Sequence, residues 1–127
     1  MAVDVLDLID VDRYPVHLPA ADAYRALLAE TRAQLNDDGC AVLRGFVRAD
    51  RIADLVEEAD RVADKGHRSF NRTNVYFTRD NPDYPQDHPL RRFYDRSNSF
   101  VPADNFGADS CIRSIYEWPW FSAFVQQ

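Results

Sequence analysis

A mixed α+β fold is expected on three observations. Two stretches carry apolar residues at helical spacings of three and four. Short β-rich runs follow each of them. Between residues 66 and 109 neither period is sustained, and prolines and asparagines break the chain repeatedly. At 127 residues the chain is long enough for a core of its own. The expected organisation is an extended lead-in over residues 1–20, then one domain over 21–127.

Pro15 and Pro19 argue against helix in the lead-in. The first helix is predicted over 22–36, with Tyr24, Leu27, Leu28, Thr31 and Leu35 as its buried stripe. Gly39 is placed to cap its C-terminus. "CAVLRGF", residues 40–46, reads as a short buried strand, and the second helix is predicted over 49–64 with Ile52, Leu55, Val56, Ala59 and Val62 inward. "TNVYFT" (73–78) reads as β. "DNPDYPQDHP" (80–89), with three prolines, reads as an irregular loop, and "SFVPADNF" (99–106) as extended chain. A loop-rich stretch of this length is a frequent home for function. A third helix is expected near Asp109, which could cap it. Pro119 should start a fourth, because the residue before a proline leaves the helical region.

Composition excludes several classes. Hydrophobic residues at 46% and aromatics at 13% argue against disorder. A net charge of −6 disfavours nucleic acid and anionic membrane as partners, although Arg91, Arg92 and Arg96 lie close in the chain. No apolar run is long enough for a membrane span, and "MAVDVLDLID" lacks a basic leader. A cytoplasmic protein is expected, with Cys40 and Cys111 as two buried thiols.

The residues suited to chemistry are few. His17, His67 and His88 are followed two residues on by Pro19, Ser69 and Leu90, so none begins a His-x-acid iron motif. Nothing is spaced for zinc, no serine elbow is present, and four glycines give no phosphate loop. No catalytic and no metal-ligating residue is therefore assigned. Arg72, in "FNRTNVYFT", offers a planar fork of donors to a carboxylate. Glu117, between Tyr116 and Trp118, could receive an ammonium. Together they are the right types for a zwitterionic amino acid. The alternatives are a surface or ion-paired Arg72, and a Glu117 in an internal salt bridge or at a helix end. Asn74 and Asn98 could bond a ligand or serve turns.

The run "NRTNVYFTRDNPDYPQDHPLRRFYDRSNSFVPADNF", with "SIYEWPWFSAFV", resembles the N-terminal half of a family of iron(II)- and 2-oxoglutarate-dependent enzymes. These are the radical halogenases of free amino acids, typified by the lysine halogenases, and related hydroxylases. "DGCAVLRGF" adds weak support. The resemblance implies a double-stranded β-helix of the jelly-roll or cupin type, buttressed by N-terminal helices, of which this chain would hold the helices and first strands. It implies iron(II), 2-oxoglutarate and, in halogenases, chloride in the full-length parent. The iron ligands and the 2-oxoglutarate arginine would lie beyond "YEWP", so none of these cofactors is expected on this chain alone. Arg72 and Glu117 match family substrate contacts for a lysine-like free amino acid, and the implied partner is the missing C-terminal half of the same domain. On that reading the last helix should show an apolar face (Phe121, Phe124) awaiting the barrel, and 40–46 and 73–78 should be unpaired edges. The alternatives are a non-catalytic amino-acid-binding or docking module with the terminal aromatics buried in this chain, and one half of a split enzyme.

Overall fold

In a computed structural model, which describes residues 3–127, the chain forms two compact units. Unit 1 comprises residues 1–62 and 103–127, and unit 2 comprises residues 63–102. The α+β class holds at this level: four helices and small antiparallel pairings.

Unit 1 is helical. Helix α1 spans Asp22–Asp38 and buries Tyr24, Leu27 and Thr31, three positions of the expected stripe. The Thr31 hydroxyl, which could compete with the helix, donates back to the Leu27 carbonyl at 2.9 Å. Gly39 ends the helix at φ 69°, a left-handed conformation natural to glycine, with its N–H on the Leu35 carbonyl at 3.0 Å. Helix α2 spans Ile52–Val62, between single 3-10 turns at Ala49–Arg51 and Ala63–Lys65. Helix α3 spans Cys111–Tyr116 and helix α4 Pro119–Val125. Pro119 occupies the first turn of α4 and Trp118, extended at ψ 114°, caps it, as predicted.

The lead-in is not extended. It folds into a 3-10 turn at Val5–Asp7 and further turns, and it supplies Leu8, Ile9 and Val16, all essentially inaccessible to solvent. Burial of each contributes roughly 1.5–3 kcal/mol. The strand expected at 40–46 is also absent. Residues 40–45 form a loop, and the β pairing sits just beyond it. Ile9 opposes Val47, with the Asp10 N–H on the Phe46 carbonyl at 2.9 Å and the Arg48 N–H on the Leu8 carbonyl at 2.8 Å. The apolar letters of 40–46 serve packing instead: Leu43 and Phe46 lie against the buried Tyr14, Val16, Tyr24, Leu27 and Phe124.

The last helix also departs from expectation. Phe124 is buried edge-on to Tyr24, with ring centres 5.8 Å apart, and Phe121 packs on Phe46 at 5.3 Å. Its aromatic face is covered within unit 1. Of the stripe predicted for α2, Val62 is buried and Leu55 half-buried, but Ile52, Val56 and Ala59 are exposed.

Unit 2 is built on a ribbon. Strand β1 (His67–Ser69) pairs with β4 (Asn98–Phe100), and β2 (Arg72–Thr73) with β3 (Tyr94–Asp95), both antiparallel. His67 opposes Phe100 and Thr73 opposes Tyr94 in one unbroken register. At the break between the ladders the Arg96 N–H still reaches the Asn71 carbonyl at 2.7 Å, while the Asn71 N–H turns to the Ser97 hydroxyl at 3.3 Å. Residues 67–73 and 94–100 are therefore a single two-stranded ribbon. Residues 74–78 are not β. A turn built by Asn74 replaces the expected strand.

Candidate functional site

Unit 2 gathers the polar side chains best suited to a ligand. Arg72, Asp80, Gln86, Arg91 and Phe93 line a pocket of about 280 Å³. The ribbon presents Arg72, the proline-rich loop presents Asp80 and Gln86, and the 3-10 turn Pro89–Arg91 and the chain after it present Arg91 and Phe93. Within the pocket Arg91 and Asp80 answer each other. Arg91 Nε and Nη2 donate to Asp80 Oδ1 and Oδ2 at 2.8 and 3.1 Å, and Nη1 donates to the Tyr84 carbonyl at 3.0 Å. Such a two-pronged pair fixes geometry as well as charge.

Arg72 is different. Its guanidinium donates no hydrogen bond to any described residue. Asp95, its cross-strand neighbour, feels its charge. The Asp95 carboxylate is held below its ordinary pKa first by the Ser97 hydroxyl, then by the Ser97 N–H, with Arg68 and Arg72 adding charge. The pocket thus contains one matched ion pair, one open cationic fork, an amide at Gln86 and an aromatic wall at Phe93. A carboxylate or similar planar anion fits the open fork.

The loop is held in place by Asn74, only 1% exposed. Its amide nitrogen donates to the Leu90 carbonyl at 2.6 Å and to the Thr78 hydroxyl at 2.7 Å, and its Oδ1 accepts the N–H groups of Tyr76 and Thr78 at 3.1 and 3.0 Å. Of the two roles open to Asn74, the turn is the one observed. The turn holds Phe77 at φ 56°, a conformation uncommon for a non-glycine residue. Its ring is 70% exposed, under the Arg96 guanidinium at 4.9 Å. Asn98 lies on the ribbon, bonded to the Ser69 hydroxyl at 2.8 Å.

Glu117 lies in unit 1. It ends α3, and its carboxylate accepts from Arg113 Nε at 3.0 Å, while Arg113 Nη1 donates to the Phe106 carbonyl at 3.0 Å. An acid at a helix C-terminus opposes the helix dipole, and Arg113 offsets it. Arg72 and Glu117 belong to different units.

One functional-looking carboxylate escaped the sequence reading. Glu58 of α2 is buried. It accepts the Ser110 hydroxyl and Cys111 N–H, each at 2.7 Å, and the Ile112 N–H at 3.1 Å. Burial alone would raise its pKa, but these three donors outweigh burial and hold it below the ordinary range. It therefore clamps the start of α3, a task expected of Asp109 and shared instead with Ser110, whose side chain accepts the Arg113 N–H. The spacing of Leu55, Glu58 and Val62 on one helix face was the available signal. Cys111 beside it is buried, as expected, but Cys40 is exposed.

Among the described residues no three His, Cys, Asp or Glu side chains gather to hold a metal, so they do not fit the iron(II) implied by the resemblance. No helix among them is long and apolar enough to cross a membrane. No protein-family model, curated protein or solved structure matches the chain.

Proposed function

We propose that this chain is the substrate-side portion of an iron(II)- and 2-oxoglutarate-dependent oxygenase that halogenates or hydroxylates an unactivated C–H of a free, lysine-like amino acid. On this reading the jelly-roll core and its iron ligands lie outside these residues, and the chain alone is inactive. Its own contribution is recognition. Arg72 takes the substrate carboxylate through its planar fork, and Glu117, on the other unit, is a separate candidate for an ammonium. The observation that carries the reading is the open guanidinium of Arg72 beside a neighbouring arginine already matched to Asp80. For Glu117 to serve, a substrate ammonium must displace or share the Arg113 contact.

Titration calorimetry with lysine tests this. Arg72→Ala should abolish binding, and Arg72→Lys should weaken it by about tenfold or more, since an ammonium cannot match a carboxylate in two-pronged fashion. Lysine affinity unchanged in Arg72→Ala would refute the assignment. Glu117→Gln should weaken lysine but spare an analogue lacking the side-chain amine. A second reading, a non-catalytic binding module, is favoured by one finding: Phe121 and Phe124 are packed inside this chain rather than presented outward. Lysine binding by a stable isolated chain that gains no turnover from any iron-binding partner would support it, and the same assay covers a split enzyme.

A further inference from the structure

The two edges of the unit 2 ribbon are chemically unlike. In an antiparallel ladder, bonded and non-bonded pairs alternate, and residues of the non-bonded pairs turn their backbone outward. The Arg96 N–H on the Asn71 carbonyl makes that pair a bonded one. The continuous register then turns the backbones of Arg68, Phe70 and Arg72 to one outer edge, and those of Asp95, Ser97 and Ser99 to the other. On the second edge the Ser97 N–H is already taken, by Asp95 Oδ1 at 2.8 Å. No described side chain or loop closes the first.

The charges on that first edge are all of one sign, Arg68 and Arg72. Residues 67–73 contain no proline and no lysine. Arg68, Phe70 and Arg72 put their side chains on one face, the Arg68 guanidinium lying over the Phe70 ring at 5.2 Å, and Phe70 is 80% exposed. A two-stranded ribbon is marginal by itself, whereas a third strand makes a sheet.

We propose that this edge receives an added strand from a polypeptide partner whose extended segment reads acid–x–apolar–x–acid. Residues of an added strand opposite Arg68, Phe70 and Arg72 would share their face. Two carboxylates would meet the arginines and an apolar side chain would cover Phe70. The pattern is symmetric, so it suits either strand direction. Charge agrees: unit 2 carries seven Lys and Arg against five Asp and Glu, in a chain of net charge −6. A second copy of this chain is a poor occupant, because its acid–x–apolar–x–acid spacings Asp50–Ile52–Asp54, Asp54–Val56–Glu58 and Asp60–Val62–Asp64 lie in helical turns. The inference shares Arg72 with the proposed amino-acid site but does not depend on it.

The test is fluorescence anisotropy of the full chain with a labelled peptide centred on Glu-Thr-Val-Thr-Glu. Binding should exceed that of the Lys-for-Glu peptide, and of a peptide N-methylated at alternate amides, by about tenfold or more, as backbone pairing gives affinity and side chains give selectivity. Phe70→Pro should lose the binding, because it removes an outward N–H without breaking the ladder; Phe70→Ala should lose less. Arg68→Glu with Arg72→Glu should reverse the preference to the Lys peptide. Phe70→Pro should leave lysine calorimetry unchanged, which separates a failure here from a failure of the Arg72 assignment. Equal binding of the N-methylated peptide, indifference to Phe70→Pro with no reversal in the double variant, or no binding of the Glu peptide would overturn the proposal. So would displacement of the peptide by self-association of the chain.

Discussion

Units 1 and 2 are held together by different forces. Every buried hydrophobic side chain among the described residues, from Val5 to Phe124, belongs to unit 1. In unit 2 the buried residues are Thr73 and Asn74, both polar. Unit 1 is acidic, with sixteen Asp and Glu against eight Lys and Arg, whereas unit 2 is slightly basic. Unit 1 therefore draws on apolar burial, which is non-directional and tolerates small shifts. Unit 2 draws on hydrogen bonds and ion pairs, each of which fails steeply with geometry and yields little net stability in water. The region bearing the candidate pocket is the one with the thinner support, as expected where ligand-binding elements come from the less stable end of a structure.

Substitutions that isolate one force at a time sharpen the contrast. The largest loss should come from Leu8→Ala, which opens a cavity in a fully buried site and costs about 2–5 kcal/mol. Urea unfolding followed by helix signal should show a lower midpoint, and a midpoint unchanged from the parent would mean that the N-terminal turns do not form part of the core. Next is Asn74→Ala, which strands the Leu90 carbonyl and the Tyr76 and Thr78 N–H groups at about 2–3 kcal/mol. Amide exchange should accelerate across 73–93 while α1 stays protected. Equal acceleration in α1 would show that the two units open together. The smallest is Glu58→Gln, at about 1–2 kcal/mol near neutral pH, and it carries a pH signature. The folded-state pKa of Glu58 is lowered, so the unfolded chain binds its proton more readily. Its stabilisation is complete above the unfolded value of about 4.3 and is lost as pH falls through the folded value. The stability gap between parent and Glu58→Gln should therefore narrow on acidification, and a gap constant down to pH 3 would remove the carboxylate from the clamp.

Local signals were the readable ones. Gly39 at the end of α1 and Pro119 at the start of α4 act through their own backbones, and both fell where expected. The failures concern partners distant in sequence. Residues 40–46 have strand-like letters, but the lead-in pairs beyond them, at Val47. Val75, Tyr76 and Phe77 have β-forming side chains, yet Asn74 folds the backbone under them into a turn. Glu58 points inward because Ser110, Cys111 and Ile112 lie 52 to 54 residues away in sequence. At the candidate site the residue type of Arg72 was legible. Its open state was not, since no local pattern shows that Asp80, in the same pocket, pairs with Arg91.

The unequal burial of the two cysteines gives the molecule an internal clock. Cys40 is exposed and Cys111 buried, and unit 2 contains neither. Burial raises the Cys111 thiol's pKa against the opposing pull of Arg51, so access and ionisation both slow its alkylation. A thiol reagent should consume Cys40 at once and reach Cys111 only as fast as the helical unit opens, a chemical timer that unit 2 never touches.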